Sequence, residues 1–135
     1  MNSMKTEELM RFDWVCLVDD PTPRQIDWIR SGEVGLFWGK TVTPPYLEPI
    51  PLTTEILEKN GFEVQDQGGG RKDVWTGFGV DCEGDIEVNF QYNVPVHLKI
   101  DGGFKGEYYT SANIKYVHQL QHAFILCGIE KEFKI

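Results

Sequence analysis

Two histidines, His118 and His122, stand four residues apart in Tyr116-Val117-His118-Gln119-Leu120-Gln121-His122, with Gln119 and Gln121 between them. On a helix these positions share a face, so the two imidazoles are placed as ligands of one metal would be. The Glu that would complete HExxH is missing and no third ligand stands nearby. His97, the remaining histidine, falls on the polar face of its strand, whereas the helix is expected to pack on the opposite face. A metal-assisted hydrolase using His118 and His122 is therefore the enzyme alternative. The plainer reading is one histidine partly buried against backbone and one exposed. Gln119 and Gln121 lie where the helix otherwise needs apolar residues, and polar groups at such a seam fix orientation by bonding to neighbouring backbone. The corresponding functional reading is a recognition face of Tyr116, His118, Gln121 and His122.

Other reactive groupings are weaker. Gly68-Gly69-Gly70-Arg71-Lys72 is glycine-rich and basic, but it lacks the phosphate-loop spacing and a helix after it, so it reads as a hairpin loop. Asp85 and Glu87 share one strand face, as the acid and base of a glycosidase would, in a chain where carboxylates are common. Trp14, Trp28 and Trp38 are either core or an aromatic patch for a ligand. No Ser-His-Asp order or nucleophile elbow is present. These residues designate no catalytic group and no cofactor.

The elements that must hold these groups are legible. Ile114, Val117, Leu120, Phe124 and Cys127 recur at three- and four-residue steps, which predicts a helix over 113–128 capped by Asn113 and ended by Gly128. Strands are expected at Phe12–Val18, Gln25–Arg30 and Glu33–Lys40, with Asp19-Asp20-Pro21-Thr22-Pro23 as a turn whose prolines forbid pairing. These three strands suggest a small curled sheet like an SH3-type barrel. The proline-rich connector Thr43–Pro51 divides the chain into a barrel-like part, 1–49, and an α+β part, 50–135, sharing one core. The second part opens on a short helix with Thr53 as N-cap, Leu52 and Leu57 as a staple, and Phe62 closing a Schellman motif after Asn60-Gly61. Further strands follow at Val74–Val80 and Phe104–Tyr109, with a turn at Asp81–Gly84. Between them Ile86, Val88, Phe90, Val96, Leu98 and Ile100 are all even-numbered. In an antiparallel pair that parity requires a loop of three or five residues near Asn93, or else one long strand bent at Pro95. The fold class is thus α+β, an N-terminal curled sheet followed by an antiparallel sheet that packs against the long helix, with one short helix.

The chain has 135 residues and a net charge of −8, with its 13 cationic side chains dispersed among 21 acidic ones. Polyanion binding needs clustered Lys and Arg, so direct nucleic-acid binding is not expected, although an acidic DNA mimic is a third alternative. Cys16, Cys82 and Cys127 have no metal-like spacing and read as reduced thiols. The absence of a signal-like start or a long apolar run gives the expectation of a soluble cytoplasmic protein without a membrane partner.

Leu47–Phe62, with its pattern PIPLTxEILxxxGF, and Tyr116–Gln121, YVHQLQ, resemble two signature stretches of small uncharacterised proteins of bacterial genomes, prophages and mobile elements. Phe12-Asp13-Trp14-Val15 is similar to their opening strand, while Ile125-Leu126-Cys127 replaces a more polar ending. The resemblance implies no activity. Combined with the missing catalytic constellation, it points to a non-enzymatic binding or adaptor module whose partner is another protein.

Overall fold

Five short strands with tight connections form the first sheet: β1 (Trp14–Leu17), β2 (Asp20–Arg30), β3 (Glu33–Leu36), β4 (Thr41–Val42) and β5 (Leu47–Pro49), with a 3-10 turn at Pro44–Tyr46 before β5. The computed structural model describes residues 4, 8–77, 85–101, 108–112, 114–127, 129 and 132–135. The chain divides into two compact units, Met1–Pro51 with Tyr116–His122, and Leu52–Lys115 with Ala123–Ile135. Tyr116–His122, expected to belong wholly to the second part, is thus grouped with the N-terminal strands.

In the first unit the strand order is β4-β3-β2-β1-β5, all antiparallel. The SH3-like barrel expected from the sequence is not seen: β4 and β5 stand at opposite edges and are not paired. Closure requires the edge strands to pair, and these have only two and three residues, with Pro49 ending β5. The expected turn at 19–23 is also corrected, because β2 begins at Asp20 and runs through both prolines. Its first half pairs only with β1 and its second half with β3, so one side of the Pro21-Pro23 segment is an open edge, where proline is tolerated. Val15, Leu17, Ile26, Val34, Leu36 and Leu47 form the core, joined by Met4 and Leu9.

Gly35 is required by close approach. A Cβ there would collide with Trp28 Cε2 and Nε1, because the indole lies over the glycine while the Arg30 guanidinium sits 4.7 Å from the ring centre. Gly35→Ala should therefore lower stability by about 2 kcal/mol through displacement of the indole. A urea midpoint unchanged from wild type would show that Trp28 moves aside freely.

The second unit contains α1 (Thr54–Lys59) and a meander of β6 (Glu63–Gly68), β7 (Arg71–Gly77), β8 (Asp85–Gln91), β9 (Val94–Asp101) and β10 (Tyr108–Ser111), in the order β10-β9-β8-β7-β6. The signals around α1 act as written in the sequence. Thr53 accepts the Ile56 N–H at 3.2 Å, Leu52 and Leu57 are buried, and Phe62 N–H reaches Leu57 C=O at 3.0 Å across Gly61, whose φ is 90°. Asn60 donates to Ile56 and Lys134 carbonyls and accepts the Lys134 N–H, each at 2.8 Å, which ties the C-terminal residues to the helix end.

The hairpin of β8 and β9 corrects a third expectation. Its loop is a two-residue turn, Tyr92-Asn93, with φ 51° and 65°, the left-handed pair that type I′ requires. Parity is restored within the ladder. Val88 faces Leu98 and Ile86 faces Ile100, whereas Phe90 faces Pro95 across a register shift. The shift leaves Val96 half-exposed and buries Pro95 instead.

The long helix α2 spans Val117–Leu126, shorter than expected. Ile114 precedes it as a buried residue, and Gln119 Oε1 accepts the Tyr116 N–H at 3.0 Å, the reciprocal half of a capping box. At the other end Ile129 N–H closes on Phe124 C=O at 2.9 Å, and Phe124 packs against Phe133. Asn113, Gly128, Cys82, the turn at 81–84 and the strand ends at 78–80 and 104–107 lie outside the described residues. No helix among the described residues is long and apolar enough to cross a membrane.

Candidate functional site

The first unit gathers its polar chemistry around one buried carboxylate. Asp13 stands immediately before β1 and is 1% exposed, an unusual place for an acid. Its Oδ2 accepts the Met10 N–H at 2.8 Å, and Asp13 N–H returns to Met10 C=O at 3.2 Å. The resulting turn places Phe12 third, with φ 74°, the left-handed conformation that a type II turn normally reserves for glycine. Such a conformation costs an L-residue roughly 1–2 kcal/mol, so the surroundings must enforce it.

Strand β2 and helix α2 share the enforcement: Phe12 N–H donates to Ile26 C=O at 2.7 Å, Asp13 C=O accepts the Ile26 N–H at 3.0 Å, and Gln25 Nε2 donates to Phe12 C=O at 3.0 Å. His122 Nε2 lies 2.8 Å from both Asp13 oxygens, a charge-assisted contact in a largely dry setting. Burial pushes the Asp13 carboxyl above its usual range, and the bonds from His122 and Met10 oppose this without overcoming it. Next to it, the Gln121 carboxamide accepts the Trp14 N–H and donates to Phe12 C=O, both at 2.9 Å. One amide bonding the C=O before Asp13 and the N–H after it reproduces the bonding of a residue in a parallel strand opposite Asp13. The Gln121 side chain therefore serves as a one-residue strand beside β1.

His118 lies one turn earlier, 3% exposed, with its ring stacked on Tyr116 at 5.9 Å and meeting His122 edge to face at 5.5 Å. Its Nδ1 is buried without a hydrogen-bond partner. Burial, and after it the neighbouring His122, lowers its pKa to about 4. Comparison with protein-family models, curated proteins and solved structures returns no match. The geometry is thus the guide to function. Among the described residues no group of three or more His, Cys, Asp or Glu side chains is arranged to hold a metal ion, and the His122 Nε2 is already engaged by Asp13.

Tyr116, His118, Gln121 and His122, singled out from the sequence, are brought together by the structure, but three of the four face inward onto the turn or each other. What they position lies outside. Phe12 is half-exposed and stacks on Phe37 at 5.9 Å, while Arg11 caps the Phe12 ring at 4.7 Å and pairs with Asp27 at 3.2 Å. Phe37 is the second residue of another turn of the same kind, Leu36–Gly39, closed by Gly39 N–H on Leu36 C=O, in which Trp38 takes the third place with φ 78° and is 96% exposed. Trp14 and Trp28 are half-buried, so the three tryptophans expected to act alike do not.

The remaining candidates fall in the second unit. Gly69 and Gly70 form the turn of the hairpin of β6 and β7, and Arg71 pairs with Asp73 at 3.4 Å instead of presenting a free cradle. Glu87 accepts from Asn89, which also bonds Asp73, whereas the Asp85 side chain lies outside the described residues. Cys16 and Cys127 are free thiols, each with its pKa pushed up by burial. Sequence reasoning missed Asp13 and the two aromatic turns. The signal available was a single acid embedded in Phe12-Asp13-Trp14-Val15-Cys16-Leu17, a run otherwise apolar.

Proposed function

We propose that the protein is a non-enzymatic binding module whose contact surface is the pair of aromatic turns Met10–Asp13 and Leu36–Gly39, and that its partner is another protein. The observation that carries this reading is Trp38, 96% exposed and held at φ 78°. Neither packing nor backbone preference accounts for a tryptophan there. An exposed indole contributes little to folding, and a left-handed L-residue opposes it. Large aromatics are the side chains that dominate binding energy at protein interfaces, and Phe12 and Phe37 extend the same ridge. The resemblance to small proteins of prophages and mobile elements supports an accessory role of this kind.

Trp38→Gly separates the two contributions. The variant should be more stable than wild type by about 1 kcal/mol in urea titration, because glycine occupies positive φ without penalty. It should also lose whatever protein co-purifies from bacterial extract with the wild type. A destabilised variant, or one that retains the same partner at wild-type yield, would remove Trp38 from the surface. Substrate turnover in a hydrolase screen that survives Trp38→Gly and is abolished by His122→Ala would favour the hydrolase reading instead.

A further inference from the structure

The fold accommodates His118 only as a neutral ring. The Nδ1 atom is buried and has no acceptor, Tyr116 covers one side, and the edge contact to His122 brings a second imidazole within 5.5 Å. A proton added at Nδ1 would place a cation in a largely buried ring with no hydrogen-bond partner at that atom. The titratable groups facing His118 are Tyr116 at the helix start and His122 on its own helix, and His122 in turn faces Asp13 from the lead-in of β1. Arg11, in the same turn as Asp13, is paired with Asp27 and offers no compensation.

We propose that the start of α2 is an acid-released latch: a proton taken up from solvent by His118 expels its ring from beside Tyr116 and His122, and the helix turn that moves with it withdraws Gln121 and His122 from Phe12, Asp13 and Trp14. The mechanical link is short, because Gln121 and His122 follow His118 by three and four residues on one helix. Release removes both Gln121 bonds from the β1 lead-in and leaves the Asp13 carboxyl with the Met10 N–H alone, while the backbone pairing of Phe12 and Asp13 with Ile26 and the bond from Gln25 to Phe12 C=O remain. Phe12, left-handed at φ 74°, then keeps only its bonds to Ile26 and Gln25, so the turn is held less firmly. The lowered pKa of His118 is consistent with this and places the transition on the acid side of neutrality. The latch stands independently of what the aromatic turns bind.

The Trp14 amide reports the latch directly, since its N–H is bonded to Gln121. Its hydrogen exchange, corrected for intrinsic rate, should be compared by NMR at about pH 7 and about pH 4.5, with the β3 amides as reporters of the rest of the unit. Protection of Trp14 should fall at least about tenfold on acidification while β3 holds. His118→Phe, which keeps a ring against Tyr116 but cannot titrate, should retain Trp14 protection at both values. Equal Trp14 protection at the two pH values, equal loss throughout β3, or the same loss in His118→Phe would each overturn the latch. Should His118→Phe not fold, the ring signals of His118 in wild type decide. Loss of Trp14 protection that tracks ring protonation supports the proposal, and loss at a different pH defeats it.

Discussion

Asp13→Ala should lower stability by about 3 kcal/mol in urea titration at neutral pH, the size expected when a buried acceptor shared by two donors is removed and a cavity is left. The carboxylate is the common acceptor for the Met10 N–H and for His122 Nε2. Alanine leaves both donors without it and opens space at a position that is 1% exposed. His122 can recover some solvation, since its side chain is 24% exposed, which limits the expected cost. Asp13→Asn retains the shape and one acceptor oxygen but not the charge, so its loss should be about half as large. Gln121→Ala should add little to Asp13→Ala, because both changes release the same turn and contributions within one network are not additive. A loss below about 1 kcal/mol for Asp13→Ala would mean that the turn is held by backbone pairing alone.

Between about pH 6.5 and about pH 4 the protein should lose up to about 3 kcal/mol of stability through His118, whose pKa falls from 6.5 to about 4 on folding. The sign follows from linkage. A group with a depressed folded pKa is neutral in the native state while the unfolded chain takes up a proton, so its contribution is complete above 6.5 and disappears as pH falls toward the folded value. Asp13 works in the opposite direction. Its folded pKa is raised, so its contribution is complete below 3.8 and is lost as pH rises through the folded value. The wild-type curve therefore shows the difference of the two, and His118→Phe isolates the histidine. Stability of that variant should no longer decline across this window, measured as urea midpoints at about pH 7, about pH 5.5 and about pH 4.5. Parallel curves for wild type and His118→Phe would assign the acid sensitivity to other groups.

Local chemistry was readable wherever partners lie within a few residues. The cap at Thr53, the burial of Leu52 and Leu57, and the Schellman closure of Phe62 on Leu57 were all written in nearby positions. Of the even-numbered apolar residues of β8 and β9, Ile86, Val88, Phe90, Leu98 and Ile100 lie on the buried face as expected, whereas Val96 is exposed and Pro95 is buried in its place. Even parity misjudged the loop, because a register shift inside the ladder satisfies parity as well as an odd loop does, and alternation alone cannot distinguish them. The expected barrel failed for a related reason. Short strands with tight turns indicate a curled sheet, but closure depends on whether the two edges meet, which no local pattern encodes.

The sequence by itself determined that 113–128 contains an amphipathic helix with polar residues where apolar ones belong, and that Tyr116, His118, Gln121 and His122 form one group. Only the tertiary structure decided what that group does. Gln121 and His122 meet Phe12, Asp13 and Trp14 across more than a hundred residues of chain, so the partner that gives each its meaning is invisible to helical spacing. The same holds for Trp38. Its type suggests burial, but the bond from Gly39 to Leu36 closes a turn in which the indole is almost completely exposed. Side-chain identity sets what a residue can contribute, and long-range backbone geometry sets whether that contribution is made inward or presented to solvent.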